Sequence, residues 1–468
     1  MPVSSEVRLS SLGTRIRLDA EYYKPFYLQR ASKLCRFETI ELGRIALVTD
    51  GIHASPLFRS GSGIRYISAK CVKGGVFDLS KAEEIDPEIH RKNPRTALQV
   101  DDVIISTVGT IGFCAVVDAS MLPANCDRHV GIVRIHNPEQ YDPHYVAAFI
   151  NSTYGRIQTI RESTGNVQLN LFIYSISKIR IPFVSGYKDI GNQVRSALAL
   201  RGKALTLYTS AERVMEEDLG TDRVDLSSLV GYTTRLSETL HGRRWDSEFY
   251  KPKYKRVIEA VLTTKKMKVA RVIPVGRILS YVTNGHTPLH HDLTVGEVLF
   301  LTAEHVSDFR LDFGTDKRIL QRHHDTELAR TALRDGDILV TIKGKVGNCA
   351  VVRNCPSAAN INQDVALIRL RTGIHPCFFA AWFNSLMGKQ LVEQRSTGGI
   401  NPFLGLGNLR GMPFPVIDQK EQHRIGNLVQ EMVENAQSAE QEAVSLLESA
   451  KRRVEELIEQ GAATDSRD

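Results

Sequence analysis

The chain contains no run approaching the roughly 20 apolar residues that a membrane-crossing helix needs, and its first residues, MPVSSEVRLSSLG, lack the apolar core of a secretory signal. Both absences predict a protein that is neither exported nor membrane-bound. Cysteine is scarce, with seven in 468 residues and no Cys-x-x-Cys pair. That excludes a disulfide framework and a cysteine-rich zinc site, and predicts a reduced, cytoplasmic setting. Neither Gly-x-Gly-x-x-Gly nor Gly-x-x-x-x-Gly-Lys-Ser/Thr occurs, so no nucleotide phosphate loop is expected. No Ser or Cys has a recognisable nucleophile setting. His290-His291 and His323-His324 lack an acidic residue at metal-ligand spacing and read as surface loops, so no metal site is expected.

What is present is ordinary globular composition, with 42% hydrophobic and 24% charged residues. A chain of this length suits two domains of roughly 150–200 residues. The formal net charge is +7, and its distribution is uneven. Residues Asp418 to Gln460 hold ten acidic and five basic side chains. The rest is correspondingly more basic, which fits a polyanion-binding body joined to an acidic helical tail that faces another protein. Asp142-Pro143-His144-Tyr145 and Asn401-Pro402-Phe403 are similar to the Asn/Asp-Pro-Pro-Tyr/Phe loop of adenine methyltransferases. Each lacks the second Pro, and no glycine-rich cofactor-binding strand accompanies them, so both read as plain loops.

The dominant feature is repetition. RLDAEYYKPFY from Arg17 returns as RRWDSEFYKPKY from Arg243, and VTDG at Val48–Gly51 returns as VTNG at Val282–Gly285. TALQVDDVIISTVGTIGFCAVV from Thr96 returns as TALRDGDILVTIKGKVGNCAVV from Thr331. ANCDRHV (Ala124) matches ANINQDV (Ala359), AAFINSTYG (Ala147) matches AAWFNSLMG (Ala380), and STGNV (Ser163) matches STGGI (Ser396). The interval is domain-sized and nearly constant, so the chain is a tandem duplication.

Each half predicts the same elements. Val103–Ser106 and Ile338–Thr341 are short β-branched runs entered through an Asp-rich turn and left through Gly-x-x-Gly (Gly109/Gly112 and Gly344/Gly347). Strands are expected at Cys114–Val117 and Cys349–Val352, then at Gly131–Ile135 and Val365–Leu370. A helix follows over Pro143–Ser163 and Pro376–Arg395, leading to the Ser-Thr-Gly loop. The clustered strands predict an α+β domain rather than βαβ units. Alternating steps of four and three then pick an apolar stripe through Ile190, Val194, Ala197, Ala204, Tyr208, Ala211 and Met215. The same stepping picks Ile425, Val429, Met432, Ala436, Ala439, Ala443, Leu446, Ala450 and Leu457. Arg201 and Arg453 interrupt the two stripes. These are heptad seams on two long helices.

The candidate binding residues are polar positions at which the aligned halves differ. Lys343 and Lys345 flank Gly344 where the first half has Val108 and Thr110. Arg128-His129 stands against Gln363-Asp364, and Asn166 and Gln168 stand against Gly399 and Asn401. A shared scaffold differing at Arg, Lys, Asn, Gln and His is what two base-reading modules for different sequences need.

In this order, twice over, these motifs resemble the DNA-specificity (S) subunit of type I restriction-modification enzymes. The resemblance covers essentially the full length. The first half departs from it at Asn125-Cys126-Asp127-Arg128, where Asn-Gln is expected, and at Asn166, where the second Gly is expected. It implies an α+β fold of two tandem target-recognition domains, each followed by a long helix, the two helices pairing as an antiparallel coiled coil. The expected division is 1–186 and 226–417 for the domains, 187–225 for the first spacer helix and linker, and 418–468 for the second helix and tail. Pairing would use Ile190, Val194, Tyr208, Met215, Ile425, Val429, Met432, Leu446 and Leu457. The implied function is recognition of a bipartite site in double-stranded DNA by a chain with no catalytic activity and no cofactor of its own. Methyltransferase (M) subunits would supply S-adenosylmethionine, and through them a restriction (R) subunit would supply ATP- and Mg-dependent chemistry. The residues alone also admit a duplicated adaptor that binds protein or RNA, and a self-contained DNA-modifying enzyme.

Overall fold

A computed structural model describes Glu6 and residues 20–464 apart from 166–168, 221–223, 228–230, 243, 265–266 and 290–291. The chain packs into two compact units, Met1–Lys203 with Ser438–Asp468, and Ala204–Gln437. The division at 1–186, 187–225, 226–417 and 418–468 follows chain order. Packing instead gives each unit one domain and a portion of both long helices.

In the first unit, β1 (Ala46–Asp50), β2 (Val103–Ser106), β3 (Cys114–Val116) and β4 (Val130–Ile135) form an antiparallel sheet in the order β1-β4-β2-β3. Every residue of β2 and β3 is buried, as their unbroken apolar runs require. The Asp-rich turn before β2 has a specific role. Asp102, 1% exposed, accepts from the Gln99 N–H (2.8 Å) and from both Nε and Nη2 of Arg134 on β4 (2.8 and 2.7 Å). A buried carboxylate is tolerable only with such full pairing. The stretch expected as one helix is two, α1 (Pro143–Asn151) and α2 (Thr153–Glu162). Ser152 between them is extended and caps the second helix through its hydroxyl. A Cβ on Gly155 would stand 2.2 Å from the Phe149 carbonyl oxygen, so only glycine lets α2 fold back this closely. Asn151 clips the strand beside it: its Oδ1 accepts from the Cys114 N–H (3.1 Å) and its Nδ2 donates to the Cys114 carbonyl (2.9 Å). The clip satisfies the Cys114 N–H that the edge strand would otherwise leave unpaired, while the carbonyl also accepts from the Gly75 N–H (2.9 Å). Asp142-Pro143 is not a loop. Asp142 is the N-cap of α1, accepting from the N–H of His144 and Tyr145, and Pro143 is the first helical residue. The long helix α3 (Tyr187–Leu219) follows.

The second unit repeats these devices. Its sheet of β5 (Leu279–Asn284), β6 (Ile338–Thr341), β7 (Cys349–Val351) and β8 (Val365–Leu370) has the order β5-β8-β6-β7. Asp337 pairs with Arg369 (2.7 and 3.0 Å). Helices α4 (Pro376–Asn384) and α5 (Leu386–Arg395) break at Ser385, and Asn384 clips Cys349 (3.0 and 2.7 Å). A Cβ on Gly388 would lie 2.0 Å from the Trp382 carbonyl oxygen. The repeated Tyr-Lys-Pro phrase starts a helix in both units. Lys24 and Lys251 are extended, and Pro25 and Pro252 stand in the first helical turn. The aromatic before it packs on arginine near the Ser-Thr-Gly loop: Arg161 lies 3.9 Å from the Tyr22 ring centroid, while Arg244 and Arg395 lie 4.6 and 5.2 Å from that of Phe249.

The final helix, α6, runs Gln419–Thr464. In the first unit Asp189 of α3 pairs with Arg453 of α6 (3.6 Å). In the second unit Asp218 of α3 pairs with Arg424 of α6 (2.6 Å). The start of one helix therefore meets the end of the other, and the pairing is antiparallel. On α3 the buried stripe keeps the four-three stepping through Ile190, Val194, Ala197, Ala204, Tyr208, Ala211 and Met215. On α6 it runs through Ile425, Val429, Val433, Ala436, Ala439, Ala443, Leu447, Ala450, Val454 and Ile458. Met432, Leu446 and Leu457 sit one residue before the fully buried positions and are half-buried. Ile425, Ala436, Leu447 and Ile458 mark an 11-residue period, which does not wind the left-handed supercoil of a strict heptad.

Candidate nucleic-acid interface

In the first sheet, Asp50 at the end of β1 faces Gly131, and Ser106 at the end of β2 faces Val130 at the start of β4. The loops after β1, after β2 and before β4 therefore emerge at one end. Backbone bonds tie them together. Arg128 N–H donates to Ile52 O (3.2 Å), Thr107 N–H to His129 O (3.0 Å), and Leu171 N–H to Thr107 O (3.0 Å). The last of these brings in the Ser-Thr-Gly loop, closed by paired Thr164 and Asn170. The second unit builds the same end. Gly285 N–H donates to Asn362 O (3.2 Å), Ile342 N–H to Asp364 O (2.9 Å), and Leu404 N–H to Ile342 O (2.9 Å), with Lys343 bridged to Phe403.

The Gly-x-x-Gly turn is rigid for local reasons. Gly112 has φ +74° and Gly347 φ +90°, and a Cβ would strike the Thr159 side chain (2.1 Å) or the Val392 side chain (2.7 Å). Each returns its N–H to the strand carbonyl of Ser106 or Thr341 (both 2.8 Å). The hydroxyls of Ser106 and Thr341 also donate to the Val108 and Lys345 carbonyls. In the turn held this way Ile111 is buried, while Thr110 in the first unit and Lys343 and Lys345 in the second are exposed and Val108 is half-buried.

Their electrostatics differ between units. Lys343 and Lys345 are exposed and make no ion pair or side-chain hydrogen bond among the described residues. In the first unit Arg128 is exposed and makes no side-chain ion pair or hydrogen bond among the described residues. Its neighbours are compensated: His129 by Asp127 (3.1 Å), His53 by Asp50 (2.6 Å), Arg95 by Asp50 (3.3 Å) and Lys70 by Glu83 (3.4 Å). Burial pushes the Asp50 carboxyl up, but His53 and Arg95 outweigh it and hold it below its ordinary value. A groove of about 560 Å³ opens here, with Phe58, Tyr66, Val108, Arg128 and His129 in its wall. Burial, reinforced by Asp127, pushes the Tyr66 phenol well up, so it stays a protonated donor.

Of the remaining candidates, Gln363 is exposed, its Oε1 accepting from the Thr287 hydroxyl (2.9 Å) and its carbonyl from Asn284 (3.2 Å). Asn401 is exposed on the Ser-Thr-Gly loop. Asn166 and Gln168 lie outside the described residues. The structure thus gathers Arg128 and His129 at one sheet end, and Lys343, Lys345, Gln363 and Asn401 at the other. Sequence reading missed His53 and Thr287, although both lie within two residues of the repeated Val-Thr-Asp/Asn-Gly. His323 and His324 stand on a short helix, Gln321–Asp325, rather than a surface loop. His324 is bonded to buried Asn360, and Glu327 bridges His323 and His286. No group of His, Cys, Asp or Glu among the described residues is arranged to hold a metal ion. His290 and His291 lie outside them. No helix among the described residues is long and apolar enough to cross a membrane.

No protein-family model matches the chain. It is 27% identical over 180 residues to the type I restriction enzyme EcoBI specificity subunit of Escherichia coli, a match spanning 36% of this chain and 37% of that one. The match therefore covers little over a third of that relative's length. Among solved structures it is similar to the S subunit of a type I restriction-modification system from M. genitalium, at 13% identity over 91% of this chain and 96% of that chain, with TM-score 0.44. It is also similar to the HsdS subunit from Thermoanaerobacter tengcongensis, at 14% identity over 90% and 96% of the two chains, with TM-score 0.28. The chain resembles type I specificity subunits: two tandem α+β domains, each followed by a long helix.

Proposed function

We propose that the chain is the DNA-specificity subunit of a type I restriction-modification complex, each unit reading one half of a bipartite duplex site. The observation that supports this reading most is the pair of sheet ends. One framework, held by corresponding backbone bonds at Thr107 and Ile342 and at Leu171 and Leu404, presents exposed cations together with different polar groups in each copy. Lys343, Lys345 and Arg128 serve phosphates, while Gln363, Asn401, His129, Asn166 and Gln168 serve base edges. Helices α3 and α6 set the gap between half-sites, with Ile190, Val194, Tyr208, Met215, Ile425, Val429, Met432, Leu446 and Leu457 along or beside the seam. The chain is cytoplasmic and holds no cofactor. Methyltransferase subunits that dock on it bring S-adenosylmethionine, and a restriction subunit brings ATP and Mg.

The test is co-purification from the native host followed by mapping of methylated adenines. A four-residue insertion near Ser210 adds about 6 Å of helix at 1.5 Å per residue. It is expected to keep both half-site sequences and lengthen the gap by one or two base pairs, at about 3.4 Å each. Altered half-site letters with an unchanged gap, or purification without any methyltransferase, contradicts the proposal.

A further inference from the structure

Ile400 is 96% exposed, at the tip of the second unit's Ser-Thr-Gly loop. Isolated exposed apolar residues are common on protein surfaces, so exposure alone decides nothing. The surroundings do. The loop is closed at its base by reciprocal bonds between Thr397 and Phe403 (2.9 and 2.8 Å) and bridged to Lys343, so its tip projects from a fixed platform. Gly398 has φ +84°, and a Cβ on Gly399 would meet nothing within 4 Å. The chain before Ile400 is therefore bare backbone, slender beside the bulk of one branched side chain. Lys343 and Lys345 stand exposed and unpaired on the adjoining turn, and Asn401 follows Ile400 with an amide that both donates and accepts.

The geometry points to Ile400 as a wedge that enters the minor groove of duplex DNA and unstacks one base step. Its loop backbone would fit a groove about 6 Å wide, Asn401 would meet the acceptor-rich groove floor, and the two lysines would hold the flanking phosphates. This rests on the proposed reading that the second sheet end contacts DNA. It adds a residue with no hydrogen-bonding capacity in its side chain, whose role is to deform the duplex rather than read it. Deformation selects for flexible pyrimidine–purine steps without a direct contact.

The experiment uses the full chain and duplexes it selects from a randomised pool. Affinity is measured beside permanganate reactivity of thymines, which reports unstacking. The wild-type chain is expected to make one thymine step hyper-reactive. Ile400→Ala should abolish that reactivity and weaken binding about tenfold, while Ile400→Leu should retain both. Lys343→Ala with Lys345→Ala should weaken binding yet leave the residual complex hyper-reactive. If Ile400→Ala binds as tightly and unstacks as well as wild type, the wedge is wrong while the DNA-reading proposal stands. If the wild-type chain enriches no duplex, the underlying reading falls and the wedge with it.

Discussion

Asp142 and His375 occupy the same place in their respective units: each is the N-cap of the helix that follows the sheet, α1 or α4, and each fits against a glycine of a long helix. A Cβ on Gly191 would lie 2.2 Å from Asp142, and one on Gly426 would lie 2.4 Å from the His375 ring. Their surroundings differ. Asp142 is paired with Arg195 (2.8 Å), whereas His375 accepts from the Cys377 N–H through Nδ1 (3.2 Å) and meets Asn427 through Nε2 (3.1 Å). The same contrast recurs at the sheet ends, where Val108 and Thr110 answer to Lys343 and Lys345. Shape is retained while the chemistry at exposed or helix-facing positions diverges. Buried pairs such as Asp102–Arg134 and Asp337–Arg369 did not diverge, because losing one partner would strand a buried charge.

The largest effects should come from breaking what the units share. Gly155→Ala and Gly388→Ala each push a Cβ into a carbonyl, and each should destabilise its own unit by about 4 kcal/mol or more, read by urea melts. A loss below about 1 kcal/mol in either would mean the helix break is soft there. Next, Asp337→Ala should leave Arg369 without its carboxylate in a mostly buried site, at a cost of about 3–5 kcal/mol. Asp102→Ala should match it, and inequality between the two would show that the frameworks are not equivalent. Smaller again is the divergent turn. Lys343→Ala with Lys345→Ala should weaken DNA binding across sequences and flatten the salt dependence by about two phosphate contacts. Val108→Lys with Thr110→Lys should steepen it.

The smallest expected effect is on acid stability, and it separates the caps. Burial, together with nearby His423 and Arg353, holds the His375 imidazole below its ordinary value, against the opposing Asn427 bond. Its contribution is therefore complete above pH 6.5 and lost as pH falls through the lowered value. Burial pushes Asp142 up, but His144 and Arg195 outweigh it, so its contribution persists until pH falls below 3.8. Between those limits the second unit should weaken first in thermal melts, and His375→Asp should reduce that difference, leaving the part due to His305, whose imidazole burial likewise holds below its ordinary value. Equal weakening of both units would contradict the assignment.

The duplication was legible because offsets between matching motifs barely change, and the strands because their β-branched runs are short and bounded. The break at Ser152 and Ser385 was not, since both sit inside apolar runs with helical periodicity. Asp142-Pro143 carried a helix-start pattern, an N-cap residue followed by Pro, which likeness to a methyltransferase loop obscured. On α6, four-three stepping drifted one residue off the buried face at Met432, because alanine and valine on both sides fit either period. Which cations lack partners was not legible either. Arg128 and Arg95 look alike in sequence, yet Asp50 compensates only Arg95, a pairing made by chain crossings far apart in sequence.

That each unit reads its own half-site is tested most directly by sequencing duplexes that the full chain selects from a randomised pool. Wild type should return two constant blocks around an unspecified gap, His129→Ala relaxing one block and Gln363→Ala only the other. A single contiguous block, or relaxation of the same block by both variants, would contradict it.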